Sequence, residues 1–192
     1  MQRRIIFSVT ALAVTLMASA CGRENPTSPT ATISPSAPSF SRGKPVQPTR
    51  VVPLELDKGH NTQLTASATI GVLGGTLSLP ATGLVVIVPP LAVNKPTLFK
   101  VTAVVGTAVA YEFSPAGTQF TIPLVATQSL ATTKAKHGGS VDPLLIFVGY
   151  FPNPTDSTTV TELNDVALNL GGQTVVFPIW HFSGYIFASG RK

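Results

Sequence analysis

His181 and Ser183 are the residues in this sequence best placed to do chemistry on an acyl group. An imidazole that takes a proton from a serine hydroxyl turns that hydroxyl into a nucleophile. Residues two apart on an extended strand share a face, so the pair can approach if the backbone is kinked, and Gly184 would ease such a kink. Conventional hydrolysis also needs a carboxylate to orient the imidazole, and sequence alone does not rank Asp142, Asp156, Glu162 and Asp165 for that task. The plainer alternative is that His181 and Ser183 satisfy hydrogen bonds at a strand end while Trp180, Phe182 and Tyr185 pack.

Other chemistry-bearing groups are sparse. His60, His137 and His181 have no ligand spacing among them, so no metal is expected. No glycine-rich loop opens a helix, and no cofactor is called for. The run Lys134-Ala135-Lys136-His137-Gly138-Gly139 has the composition of a backbone anion nest, but reads more simply as a solvated, mobile basic loop. Tyr150, Phe151, Trp180 and Tyr185 are an aromatic set for a sugar or peptide, or core residues of strands.

These residues lie on strands. The organising stretch is Gly74-Gly75-Thr76-Leu77-Ser78-Leu79-Pro80 to Pro89-Pro90: a double glycine opens a strand, Pro80 and Gly83 turn it back, and an apolar run, Leu84 to Val88, follows. That run is apolar on both parities and is expected to have both faces covered. Further strands are expected at 51–56, 63–70, 97–105, 109–113, 120–124, 144–151, 158–163, 166–170 and 174–179, with turns at 58–61, 114–117 and 171–172. Close strand spacing without a helical period predicts an antiparallel β-sandwich of about 8–11 short strands.

Charged residues make up 11% of the chain, against about 25% in typical soluble domains, while Gly and Pro total 33 of 192 residues. The formal charge of +5 falls to +3 without Arg3 and Arg4, and no concentrated basic face is visible, which argues against nucleic acid as a partner. Cys21 is the single cysteine, so no intramolecular disulfide can form.

The N-terminus reads as an address. Arg3-Arg4, an apolar stretch from Ile5 to Met17 and the small residues Ala18-Ser19-Ala20 have the three parts of an export signal, with too short an apolar run to span a membrane. With Cys21 next, this ending resembles the lipobox of bacterial lipoproteins, although Ala18 stands where Leu is usual. The resemblance implies that Cys21 is acylated and becomes the new N-terminus, holding the protein to a membrane of the bacterial cell envelope, at the outer membrane or the periplasmic face. Gly22 to Arg50 is rich in Pro, Ser and Thr and is expected to be a disordered tether. Its 29 residues reach roughly 90 Å when fully extended. The expected organisation is thus a signal peptide over 1–20, acylated cysteine and tether over 21–50, and a folded domain over 51–192.

Three segments together resemble the ZU-five domain, the β-sandwich of zonula-occludens scaffolds, Unc-five receptors, ankyrins and PIDD. They are Gly74 to Pro80 with its continuation through Pro89-Pro90-Leu91-Ala92, Tyr111-Glu112-Phe113-Ser114-Pro115-Ala116-Gly117-Thr118-Gln119-Phe120 with Pro123-Leu124, and His181-Phe182-Ser183-Gly184-Tyr185. The family carries Gly where this chain has Leu91, so that turn is expected to differ. The resemblance implies a non-enzymatic interaction module, whose partner would be another protein or an envelope polymer. It also implies an alternative. His181-Phe182-Ser183 matches the self-cleavage tripeptide of PIDD, in which Ser183 would attack the Phe182 carbonyl and His181 would take its proton. The bond between Phe182 and Ser183 would then break, and the two pieces would stay associated; in this sequence the second is Ser183 to Lys192.

Overall fold

The computed structural model describes residues 41–191. The expected signal segment, Cys21 and the expected tether as far as residue 40 lie outside the described residues.

Among the described residues fourteen strands follow one another, more than the expected number because several stretches are broken into short pieces. They are β1 (Lys44–Pro53), β2 (Glu55–His60), β3 (Leu64–Ile70), β4 (Gly75–Leu79), β5 (Leu84–Val88), β6 (Thr97–Ala103) and β7 (Gly106–Ala108), then β8 (Ala110–Ser114), β9 (Gln119–Ser129), β10 (Phe147–Phe151), β11 (Thr159–Asn164), β12 (Ala167–Asn169), β13 (Thr174–His181) and β14 (Gly184–Arg191). A seven-stranded antiparallel sheet has the order β1-β11-β10-β14-β8-β6-β3, and a five-stranded one has the order β12-β13-β9-β5-β4. The small pair β2–β7 lies beside them. The all-β sandwich read from strand spacing is therefore the fold.

The hairpin at the centre of the sequence forms as its residues dictate. Leu79 pairs with Leu84 and Gly75 with Val88. Pro80–Thr82 makes one 3-10 turn, and Gly83 closes it at φ 78. A side chain there would also meet Ser129, so this position needs glycine on two grounds.

Leu84, Val86 and Val88 of β5 are buried, but Val85 and Ile87 are 38% and 49% exposed. The expectation that both faces of this run are covered is wrong. An antiparallel sheet can leave one face to water, and β-branched side chains suit an exposed strand position as well as a buried one. The strand covered on both faces is β14. Tyr185 and Phe187 enter the main core between the sheets, while Ile186 and Ala188 enter a second, smaller core.

That second core exists because the large sheet curls onto itself. β1 pairs with β11 through Lys44 to Arg50 and with β14 through Val51 to Pro53, while β10 pairs with both β11 and β14. The four strands close a ring around Val51, Phe151, Val160, Ile186 and Ala188. The folded unit thus begins before Val51, and residues 44–50 are strand and not tether. Proline lacks the N–H a regular ladder needs, and the register shifts between Pro45 and Thr49, where Pro48 sits. The expected turn at 58–61 also moves, since Lys58 to His60 continue β2.

Candidate functional site

His181 ends β13 in the five-stranded sheet, Gly184 begins β14 in the seven-stranded sheet, and Phe182-Ser183 is the crossing between them. The crossing is pinned against the turn at 114–117. The Phe182 N–H donates to the Thr118 carbonyl at 2.8 Å, the Gly117 N–H donates to the Phe182 carbonyl at 2.9 Å, and the Phe113 N–H donates to the Ser183 carbonyl at 2.9 Å. The Phe182 ring is buried among Phe99, Phe113 and Phe120, with centroids 4.8, 5.3 and 5.0 Å away.

His181 finds a carboxylate. Its Nε2 lies 3.6 Å from Oε1 of Glu162 on β11, and its ring stands edge-on to Tyr150 at 4.8 Å. Its carbonyl accepts from the Tyr185 hydroxyl at 2.7 Å. Burial pushes the Tyr185 phenol pKa up, and the nearby Glu162 charge pushes it the same way. Of the four carboxylates that sequence could not rank, Glu162 is the one at the imidazole. No local spacing could have found it, because the pairings of β10 with β11 and β14 are what set Glu162 beside Tyr150 and Tyr185.

The expected nucleophile is less well served. The Ser183 hydroxyl makes no hydrogen bond to any described residue, so the serine-to-histidine bond that activates such a nucleophile is not formed. No residue of the crossing takes a left-handed backbone conformation. At Gly184, which the sequence offered as easing a kink, a side chain would drive into the Phe151 ring, so this glycine serves close packing.

The aromatic set does not make a platform. Phe151 and Tyr185 are buried in different cores. Tyr150 packs on His181, and the Trp180 indole N–H donates to the Ser41 carbonyl at 3.1 Å with the Arg42 guanidinium over its ring.

A concave apolar feature lies elsewhere. A cleft of about 480 Å³ opens between the 135–144 loop and the β12–β13 hairpin, with Leu130, Val141, Leu144 and Leu170 in its walls. Leu144 and Leu170 are 65% and 55% exposed. Its rim is the basic loop, which is pinned: Lys136 Nζ meets Asp57 Oδ2 at 2.6 Å, and the His137 N–H donates to Gln173 Oε1 at 2.9 Å. The Lys134, Lys136 and Gly139 N–H groups donate to backbone carbonyls, so the composition that suggested an anion nest does not supply a free one. Gln173, which holds the rim, has φ 48, a conformation uncommon outside glycine. Sequence reasoning singled out the loop but missed the cleft, because Leu170 and Leu144 meet only through the pairing of β13 with β9.

Among the described residues no three His, Cys, Asp or Glu side chains converge to hold a metal, and no helix is long and apolar enough to cross a membrane. No protein-family model matches the chain, and no curated protein matches it.

Proposed function

We propose that this chain is a lipid-anchored protein of the bacterial cell envelope that displays a ZU-five-like β-sandwich as a non-enzymatic binding module. The address rests on Cys21 and the signal segment before it. The observation that carries the binding reading is the apolar cleft of about 480 Å³ walled by exposed Leu144 and Leu170 on a rim held rigid by hydrogen bonds. Concave, mostly apolar sites with a few fixed polar groups are where ligands and peptide side chains bind. The partner is another protein or an envelope polymer.

Metabolic labelling with a fatty acid should mark the wild-type chain and fail after Cys21→Ala; unchanged labelling rejects the anchor. The Cys21→Ala chain, freed of its lipid, should still be retained by isolated envelope fragments, and adding Leu144→Glu should release it. Absence of retention, or retention indifferent to Leu144→Glu, rejects the cleft as the binding site.

One observation favours a second reading, self-cleavage. The Phe182 carbonyl already accepts a hydrogen bond from the Gly117 N–H, the kind of donor that stabilises an oxyanion. Attack by Ser183 Oγ would form an ester as the amide C–N bond breaks and its nitrogen takes the proton; water would then release the acid. Denatured protein should show loss of Ser183 to Lys192 by intact mass, and Ser183→Ala should abolish it. A chain intact after days at neutral pH rejects this reading.

A further inference from the structure

An antiparallel sheet exposes unpaired backbone groups only at its edges, and natural proteins guard those edges with lysine, proline, bulges or very short strands. At one end of the large sheet the ring removes the problem, since β1 bonds both β11 and β14. At the other end stands β3. Its seven residues pair with β6 from Leu64↔Ala103 to Ile70↔Thr97 without a register break, and among the described residues β6 is its one ladder partner.

Which groups of β3 face outward follows from the alternation of a ladder. The Val104 N–H donates to the Ala110 carbonyl on the β8 side, so even-numbered residues of β6 bond toward β8 and odd-numbered ones toward β3. Across the register the odd residues meet Leu64, Ala66, Ala68 and Ile70. Thr65, Ser67 and Thr69 therefore turn their N–H and C=O groups to the open edge, and their side chains are exposed. The strand carries no charge, no proline and no bulge.

It also reads almost the same from either end. Ser67 is the centre, Ala66 mirrors Ala68, Thr65 mirrors Thr69 and Leu64 mirrors Ile70. We infer that β3 is a self-association edge, at which two copies of this chain pair antiparallel about a two-fold axis through Ser67 and join their seven-stranded sheets into one. On that axis Thr65 faces Thr69 of the partner subunit, and the small alanines face each other on the core side. Each facing pair among Thr65, Ser67 and Thr69 falls at a hydrogen-bonded position and exchanges two backbone bonds. The interface is isologous, as closed dimers require. β4, the uncharged edge of the other sheet, is shorter and lacks this symmetry, since Gly75 would face Leu79. The inference stands apart from the cleft and from the lipid anchor.

Disulfide trapping tests it on the full chain. With Cys21→Ser to remove the native thiol, Ser67→Cys should give, under a mild oxidant, a reducible species of twice the monomer mass. Thr76→Cys on β4 should not. Ser67→Lys, at an exposed position where the monomer accommodates it, should weaken the dimer at least about tenfold by sedimentation velocity, because the two charges meet on the axis. A chain that is monomeric at every concentration overturns the inference. So does a dimer indifferent to Ser67→Lys, or trapping equal at Ser67 and Thr76.

Discussion

Tyr111 on β8 reaches across the sandwich to donate its hydroxyl to Oε1 of Gln128 on β9 at 2.7 Å. Gln128 Nε2 donates in turn to the carbonyls of Thr82, at 2.6 Å, and Ser129, at 2.9 Å. Gln128 is wholly buried, and these bonds tie both sheets to the turn of the central hairpin. Removing one partner from such a network leaves the other unsatisfied. Tyr111→Phe is therefore expected to lower the unfolding free energy by about 1–3 kcal/mol in urea titrations, and Gln128→Leu in the Tyr111→Phe background should cost much less than it does alone. Additive losses would show that the bond does not couple the two residues. None of this was legible in the sequence, where Tyr111 reads as one more strand aromatic and Gln128 falls beyond the end of the strand expected at 120–124. The same holds for Glu162 beside His181: sequence could name the histidine, but its carboxylate arrives from another strand.

Local elements were read best where turn chemistry and alternation agree. The β4–β5 hairpin has its strands and Gly83 where the residues put them, and Val109, Tyr111 and Phe113 all face the core as their spacing predicts. The start of the domain was missed because prolines were read as tether, whereas a proline in β1 sits at a register shift where its missing N–H leaves no gap in a regular ladder. Leu91 is instructive in a different way. It takes φ 66, the left-handed conformation glycine favours, with its side chain 69% exposed. A non-glycine residue there costs of order 1–2 kcal/mol, partly offset by the greater chain entropy that glycine loses on folding. Leu91→Gly should thus raise stability by about 0.5–1 kcal/mol in denaturant titrations. A loss of stability would mean that the Leu91 side chain contributes contacts outweighing its backbone strain.

The molecule as a whole is held by two cores that share strand β14. Tyr111 and Tyr185 both lie in the larger one, and burial is the main reason that each phenol is pushed well above the ordinary value of 10.0. The folded state thus holds two protons more tightly than the unfolded chain does. Their contribution to stability is complete below pH 10 and is lost as pH rises toward the raised values. Urea midpoints should accordingly stay level with respect to these groups on approach to pH 10 and fall beyond it, with a shallower fall in Tyr185→Phe. A midpoint that does not drop above pH 10 would contradict the burial of these hydroxyls. The sandwich class was legible because strand spacing and turn residues are local signals, while the curl that makes the second core depends on pairings more than a hundred residues apart, such as Val51 with Arg191.

The central place of β14 also bears on when this chain can fold. β14 lies between β10 and β8, and it carries Tyr185 and Phe187 into one core and Ile186 and Ala188 into the other. A growing polypeptide that has not yet reached Gly184 lacks the middle of its larger sheet, and β1, made first among the described strands, must wait for β14 to pair its last three residues, Val51 to Pro53. Such non-local pairing makes folding late and slow. Every truncation that removes β14 therefore opens both cores at once, so the last described strand works as the clasp of the whole domain.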